Sequence, residues 1–159
     1  MSRPEALEWS ADNCTIGRAL DILGDRWSFL VVREVFQGIR RFDDLTVRTG
    51  IPRTVLTDRL GRLVDAGILR REPYREPGAR SRLEYRLTEK GLDLYPILLA
   101  LHEWGDRYLA DPEGSPIEFA HRSCGATVNL VMRCEAGHDL ARTRDVVGRP
   151  GPGARRRSA

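Results

Sequence analysis

The chain has 159 residues, 41% hydrophobic and 31% charged, with a net charge of +3. That is enough apolar material for one domain with a real core. No run of about 18 or more apolar residues offers a membrane span, and Met1-Ser2-Arg3-Pro4-Glu5 lacks the apolar stretch of a secretion signal, so the expectation is a cytoplasmic protein.

Residues 1–13 read as a loose lead-in. Ile16, Ala19, Leu20 and Leu23 recur at helical spacing and predict a short first helix that Gly24-Asp25 breaks. A second helix is expected over Trp27–Phe36, ended by Gln37-Gly38 with the glycine just past the last turn. A third covers Phe42–Arg48 and closes at Gly50. Pro52 suits the first turn of a fourth helix, where its missing N–H costs nothing. On that helix Leu56, Leu60 and Leu63 share one side, while Arg53, Thr54, Thr57, Asp58, Gly61, Arg62 and Asp65 share the other. Gly67 stops it.

Ile68–Tyr74 and Leu83–Leu87 read as two strands joined by a turn at Glu76-Pro77-Gly78-Ala79-Arg80-Ser81. Thr88 is placed to cap one long helix from Lys90 to about Leu109, bent by Pro96 inside its first two turns. That helix offers more apolar surface than a small core needs, so a partner helix is expected. Asp111-Pro112-Glu113-Gly114-Ser115-Pro116 is a linker, and Ile117–Ala120 and Thr127–Met132 read as short strands. The last residues, 149–159, are Pro/Gly-rich and basic, a composition that favours disorder.

Charge is uneven along the chain. From Arg53 to Lys90 ten basic residues face six acidic ones, a surplus of four that exceeds the whole chain's +3. The positive charge therefore coincides with a helix, a tight turn, a longer helix and a basic hairpin, in that order. The second helix of such a pair can enter a major groove, and the hairpin can reach a neighbouring groove or backbone. On the outward side of the longer helix, arginine can pair with guanine edges and threonine can reach phosphate or a thymine methyl. Asp58 can accept from cytosine or orient Arg62 one turn on. Arginines of the hairpin can meet phosphate or the minor groove, which positions a protein without specifying sequence. The bland alternatives are a solvated helix face and a charged hairpin tip.

The three cysteines, Cys14, Cys124 and Cys134, argue against a disulfide framework because their number is odd. Cys14 is read either as a small buried apolar residue or as a redox sensor, with Arg18 favouring its thiolate and Asp12 opposing it. His121, Cys124, Cys134 and His138 form two close pairs, the pattern of a structural zinc site in a stub with little core of its own. A plain β-hairpin and a Cys124–Cys134 disulfide are the alternatives. No cofactor is required, structural zinc in the extension being the one candidate. Trp9, Trp27 and Trp104 read as core or interface residues, and Trp104, Tyr108 and Phe36 could line a ligand cavity. No nucleophile, base and orienting group stand together, so an enzyme is not expected.

The ordered pieces Cys14, Leu23-Gly24-Asp25-Arg26-Trp27, Arg40-Arg41-Phe42-Asp43-Asp44-Leu45, Gly50-Ile51-Pro52-Arg53-Thr54-Val55-Leu56-Thr57 and Tyr85-Arg86-Leu87-Thr88-Glu89-Lys90-Gly91 resemble the HxlR family of winged-helix transcription regulators, relatives of the MarR group. The resemblance covers roughly residues 14–110. It departs from the commoner family pattern at Pro52, where serine is frequent, and at Thr15, where proline is. It implies a mainly α fold with a β-wing (α+β), and a homodimer built on the first and last long helices. It also implies two recognition helices on a pseudo-palindromic stretch of double-stranded DNA, with Arg53, Thr54, Thr57 and Asp58 facing the groove and Arg75, Arg80 and Arg82 making wing contacts, and a cysteine at position 14 that in some members senses oxidants. The expected organisation is a lead-in over 1–13, a DNA-binding and dimerisation domain over 14–111, an extension over 112–148 and a tail over 149–159. The expected function is a sequence-specific repressor answering to an oxidant or small molecule. A winged-helix protein–protein interaction module without specific DNA binding is the alternative.

Overall fold

The computed structural model of the chain describes residues 8–75, 78, 80–140 and 143–157. The chain divides into two compact units, residues 20–129 and residues 1–19 with 130–159. The division falls inside helix α1 (Thr15–Leu23). In the larger unit follow α2 (Arg26–Phe36), α3 (Phe42–Thr49), α4 (Arg53–Asp65), strands β1 (Leu69–Tyr74) and β2 (Arg82–Leu87), then α5 (Glu89–Leu92) and α6 (Tyr95–Leu109). Among the described residues no helix is long and apolar enough to cross a membrane.

The larger unit's core follows the apolar spacing. Val31, Val32 and Val35 of α2, Leu45 of α3 and Leu56, Leu60 and Leu63 of α4 form one buried cluster with Leu23, Ile51, Ile68 and Leu69. Removing one such leucine side chain costs about 2–5 kcal/mol. Gly50 makes the turn between α3 and α4: its φ of 67° caps α3 in the left-handed region that a β-carbon resists.

Helix α2 starts at Asp25, whose Oδ1 accepts from the backbone N–H of Trp27 and of Ser28, both at 3.0 Å, and whose Oδ2 accepts from the Ser28 hydroxyl. Burial pushes the Asp25 carboxyl up, but the Ser28 hydroxyl and backbone N–H, the Arg59 guanidinium at 3.4 Å and the Trp27 N–H together hold it below the ordinary 3.8. A depressed folded-state pKa contributes stability that is present above the unfolded value and lost as pH falls through the folded one. Asp25→Ala is therefore expected to cost about 1 kcal/mol at neutral pH. In urea unfolding at pH 7 and at successively lower pH, the gap to the wild type should close below the ordinary carboxylate range. A gap that persists in acid would mean the cap does not depend on the charge.

The hairpin pairs antiparallel from Leu69 opposite Leu87 to Tyr74 opposite Arg82. It is tied to the front of α3 by a bridge between Arg41 and Glu84, where the Tyr85 N–H donates to the Arg40 carbonyl at 2.8 Å. Thr88 caps α5 as expected, its hydroxyl accepting from the Gly91 N–H at 3.1 Å. Lys90 donates to the Ala66 carbonyl at the C-terminus of α4, where a cation complements the helix dipole.

Two expectations change. The single helix over Lys90–Leu109 is interrupted at Asp93-Leu94 and restarts at Tyr95, with Pro96 in the new first turn. Pro96 has no N–H to continue the ladder from α5, so it begins a helix where bending one was expected. Upstream, Gly91 fixes α5 against the core, because a β-carbon there would lie 2.3 Å from the Ile68 carbonyl oxygen. The second change concerns the tail. Residues read by composition as disordered are paired in the smaller unit: Ser10 N–H donates to Arg155 O, Arg157 N–H to Glu8 O and the Asn13 side-chain amide to Gly153 O, at 2.7–2.8 Å. Specific backbone pairing there outweighs composition. The strands expected over Ile117–Ala120 and Thr127–Met132 likewise reduce to a single bridge between Ala120 and Thr127, and a separate bridge joins Arg133 with Asp139 in the smaller unit.

Candidate nucleic-acid interface

Leu56, Leu60 and Leu63 turn one side of α4 into the core, which forces Arg53, Thr54, Thr57 and Asp58 outward, and all four are exposed. The N-terminus of α4 carries no side-chain cap, since Pro52 occupies that position, so its free backbone N–H groups present a positive end to an incoming anion. The Thr57 hydroxyl donates back to the Arg53 carbonyl at 2.9 Å, leaving its methyl and an oxygen lone pair for contacts outward. Asp58 pairs with Arg59 at 3.7 Å. The sequence suggested Arg62 as its partner, but Arg62 turns away to donate to the Asp21 carbonyl at 3.1 Å.

Arg53 is held across the turn. Its Nη1 donates to Asp43 Oδ1 on α3 at 2.8 Å, and its guanidinium lies over the Phe42 ring at 4.7 Å. The same place is the floor of a cleft of about 320 Å³, lined by Arg41, Phe42, Asp43 and Arg53 on the helical side and by Tyr74, Arg82 and Leu83 on the hairpin. Arg41 stacks over the Tyr74 ring at 4.4 Å. Three guanidiniums from the segment before α3, the start of α4 and β2 thus border one polar cleft that holds a single carboxylate.

The hairpin's other arginines differ in kind. Arg70 donates to Glu72 at 2.7 Å, and Arg86 reaches Glu72 at 2.8 Å and Glu84 at 2.6 Å. Hydrogen bonding from Arg70 holds the Glu72 carboxyl below its ordinary range, against a small opposing effect of burial, with the Arg70, Arg86 and Arg40 charges adding to it. The hydrogen bond to Glu84 raises Arg86 in turn, against a small opposing effect of burial, with the Glu72 and Glu84 charges adding to it. Those cations are neutralised within the hairpin. Of the sequence candidates, Arg75, Arg80 and Arg82 are exposed, and Arg82 is the one beside the α4 cleft. Glu76, Pro77 and Ala79 of the expected turn lie outside the described residues. Arg41 is a residue that sequence reasoning passed over. Its signal is the Arg40-Arg41-Phe42 triplet, which reads first as a helix start and only in the fold as a contact surface.

The remaining candidates lie outside α4 and the hairpin in the chain. Cys14 is exposed just ahead of α1, and its sulfur accepts the Gly17 backbone N–H at 3.5 Å. His121 Nδ1 lies 3.1 Å from Cys124 Sγ and 3.2 Å from the Ser123 hydroxyl, in the larger unit. Cys134 Sγ lies 3.5 Å from His138 Nδ1, in the smaller. The larger unit thus holds one His/Cys pair of the expected zinc set and the smaller unit the other. Among the described residues no group of three or more histidine, cysteine, aspartate or glutamate side chains comes together to hold a metal ion. Each short loop satisfies its sulfur with its own imidazole.

Comparison with known proteins agrees with this geometry. Residues 22–113 match the HxlR-like helix-turn-helix family. The chain is 43% identical over 139 residues to an uncharacterized HTH-type transcriptional regulator of Mycobacterium tuberculosis (strain H37Rv), covering 87% of each. Among solved structures it is similar to the transcription factor candidate PA1607, with a TM-score of 0.77, 36% identity and coverage of 87% of this chain and 96% of that one. It is also similar to the redox regulator HypR in its oxidized form, with a TM-score of 0.55, 31% identity and coverage of 62% of this chain and 100% of that one.

Proposed function

Since the chain belongs to the HxlR-like helix-turn-helix family and is a transcription regulator, not an enzyme, we propose that it is a cytoplasmic, homodimeric repressor that reads a pseudo-palindromic operator with α4. The observation that carries this reading is the shared cleft. The outward face of α4 begins at the arginine cluster that the hairpin completes, so one duplex can meet a helix in its groove and cations on the flanking phosphates. Arg53, Thr54, Thr57 and Asp58 are the groove residues in this reading, with Arg41, Arg75, Arg80 and Arg82 on the backbone.

Helix α6 supports the dimer. Ile97, Leu101, Trp104 and Tyr108 are all exposed and fall at intervals of four, three and four, a seam that suits a second helix. A dimer sets the two copies of α4 about 34 Å apart, one turn of DNA. The signal in this reading is an oxidant or a small molecule. Cys14 is the residue for the first, supported by its exposure and its place at a helix start, and HypR is named a redox regulator.

The test is fluorescence anisotropy with duplexes from the gene's own upstream region and a scrambled control, across salt concentrations. Selective binding is expected, and the binding constant should fall with a log–log slope of about −0.9 per phosphate neutralised. Equal affinity for both duplexes would favour the protein-interaction alternative. Diamide treatment of the wild type and of Cys14→Ser then separates the two signals, because only the wild type should lose the operator if Cys14 is the sensor.

A further inference from the structure

A second cleft in the larger unit, of about 350 Å³, opens between α2, the first turns of α6 and the segment that follows α6. Its walls are mostly apolar, with several aromatic rings among them. Phe36 and Tyr95 have ring centroids 5.0 Å apart, Phe119 meets Tyr95 edge-on at 6.1 Å, and His102 meets Phe119 edge-on at 4.8 Å. Phe29 completes the apolar wall and Arg33 supplies a guanidinium. A volume of a few hundred Å³, an apolar lining and very few polar groups are the marks of a small-molecule site. Edge-on rings favour a flat aromatic guest.

Arg33 gives that guest a charge and a consequence. Its Nε and Nη2 both donate to Oε1 of Glu34, a carboxylate with no exposure to solvent. The other oxygen of Glu34 accepts from Arg48 Nε on α3 at 3.1 Å. Arg33 is therefore the shared member of the cleft and of an ion triad that fastens α2 to the first helix of the helix-turn-helix. Resting on the regulator reading above, we propose that this cleft binds an aromatic carboxylate whose anion competes with Glu34 for Arg33, and that Glu34 carries this competition to Arg48 on α3. The guanidinium suits the task, having five N–H donors in a planar fork that matches a carboxylate. Binding and the state of the triad must then influence each other reciprocally.

Isothermal titration calorimetry of the full chain without DNA tests this with two probes of one shape, 2-naphthoate and the neutral 2-naphthalenemethanol. Naphthoate is expected to bind at least tenfold more tightly than the alcohol. Arg33→Gln, in which Glu34 keeps Arg48, and Phe119→Ala, outside the triad, should each weaken naphthoate at least tenfold while the circular dichroism of the fold is retained. Arg48→Gln lies outside the cleft and leaves Glu34 to Arg33 alone, so it should weaken naphthoate severalfold. Equal affinity for the two probes, or naphthoate binding that ignores Arg33→Gln, overturns the anion site. Binding that ignores Arg48→Gln overturns the link to α3. Because the heat is read without DNA, failure of the operator experiment would not alter the naphthoate result.

Discussion

Replacing Arg33 and Arg48 together by glutamine is expected to destabilise the protein by about 3–5 kcal/mol, the usual cost of leaving a buried charge without its partner. Against a total stability of about 5–15 kcal/mol that is a large fraction. Each single change should cost far less. Glu34 is 0% exposed at its side chain, whereas Arg33 and Arg48 are 40% and 53% exposed, so the burial is borne by the carboxylate alone. Either arginine by itself keeps one cation on Glu34, and the one removed was largely solvated, so each single variant should lose about 1 kcal/mol or less after solvent screening. The double variant should then exceed the sum of the singles, the signature of groups that share one partner. Glu34→Leu makes the converse point: it removes the buried charge and leaves two arginines that water can reach, so it should sit closer to the wild type than the double variant does. Urea unfolding of these variants beside the wild type decides the matter, and additive single effects would show that Glu34 is not the centre of the triad.

That triad also marks where sequence reading stops. The boundaries of α1 to α4, the exposed face of α4, the hairpin and the Thr88 cap were legible because each follows from a local rule: apolar period, turn residues or a capping side chain. Glu34 follows none of these. It stands between Arg33 and Val35 in a helix whose buried apolar positions are valines, and it is paired with Arg48, fourteen residues away on another helix. The restart of the chain at Tyr95 was half legible. Pro96 was visible, but the anchoring of Gly91 on the Ile68 carbonyl, which fixes where α5 ends, is a long-range contact. The same holds at the candidate interface. Arg53, Thr54, Thr57 and Asp58 share a face by helical geometry alone. Which cations border the cleft is decided by pairings between elements, and those removed Arg70 and Arg86 from the surface charge and brought Arg41 and Arg82 beside Arg53. The tail's pairing with residues 8–13 was likewise hidden behind a composition that describes isolated chains.

Arg53→Ala should reduce operator affinity about 10- to 100-fold if its guanidinium reaches a base pair, since a good bidentate contact discriminates by about 1–3 kcal/mol. The pair it makes in the free protein gives a companion prediction of opposite sign. Arg53 and Asp43 are each 65% exposed, so their ion pair contributes at most about 1 kcal/mol and is easily surrendered to DNA. Asp43→Asn removes that competitor and also a negative charge from the cleft, so operator binding should tighten by up to about fivefold, the affinity equivalent of that pair. Arg80→Ala, on the hairpin, should weaken operator and scrambled duplex alike and lower the salt slope by about one, because a phosphate contact carries no sequence information. The three variants therefore separate by kind as well as by size. Arg53→Ala should narrow the ratio between operator and scrambled DNA, Arg80→Ala should preserve it, and Asp43→Asn should strengthen binding. If Arg53→Ala leaves the ratio intact and only flattens the salt slope, Arg53 is a phosphate anchor at the helix N-terminus. Sequence reading would then have to rest on Thr54 beside it and on Thr57 and Asp58, one turn deeper along the exposed face of α4.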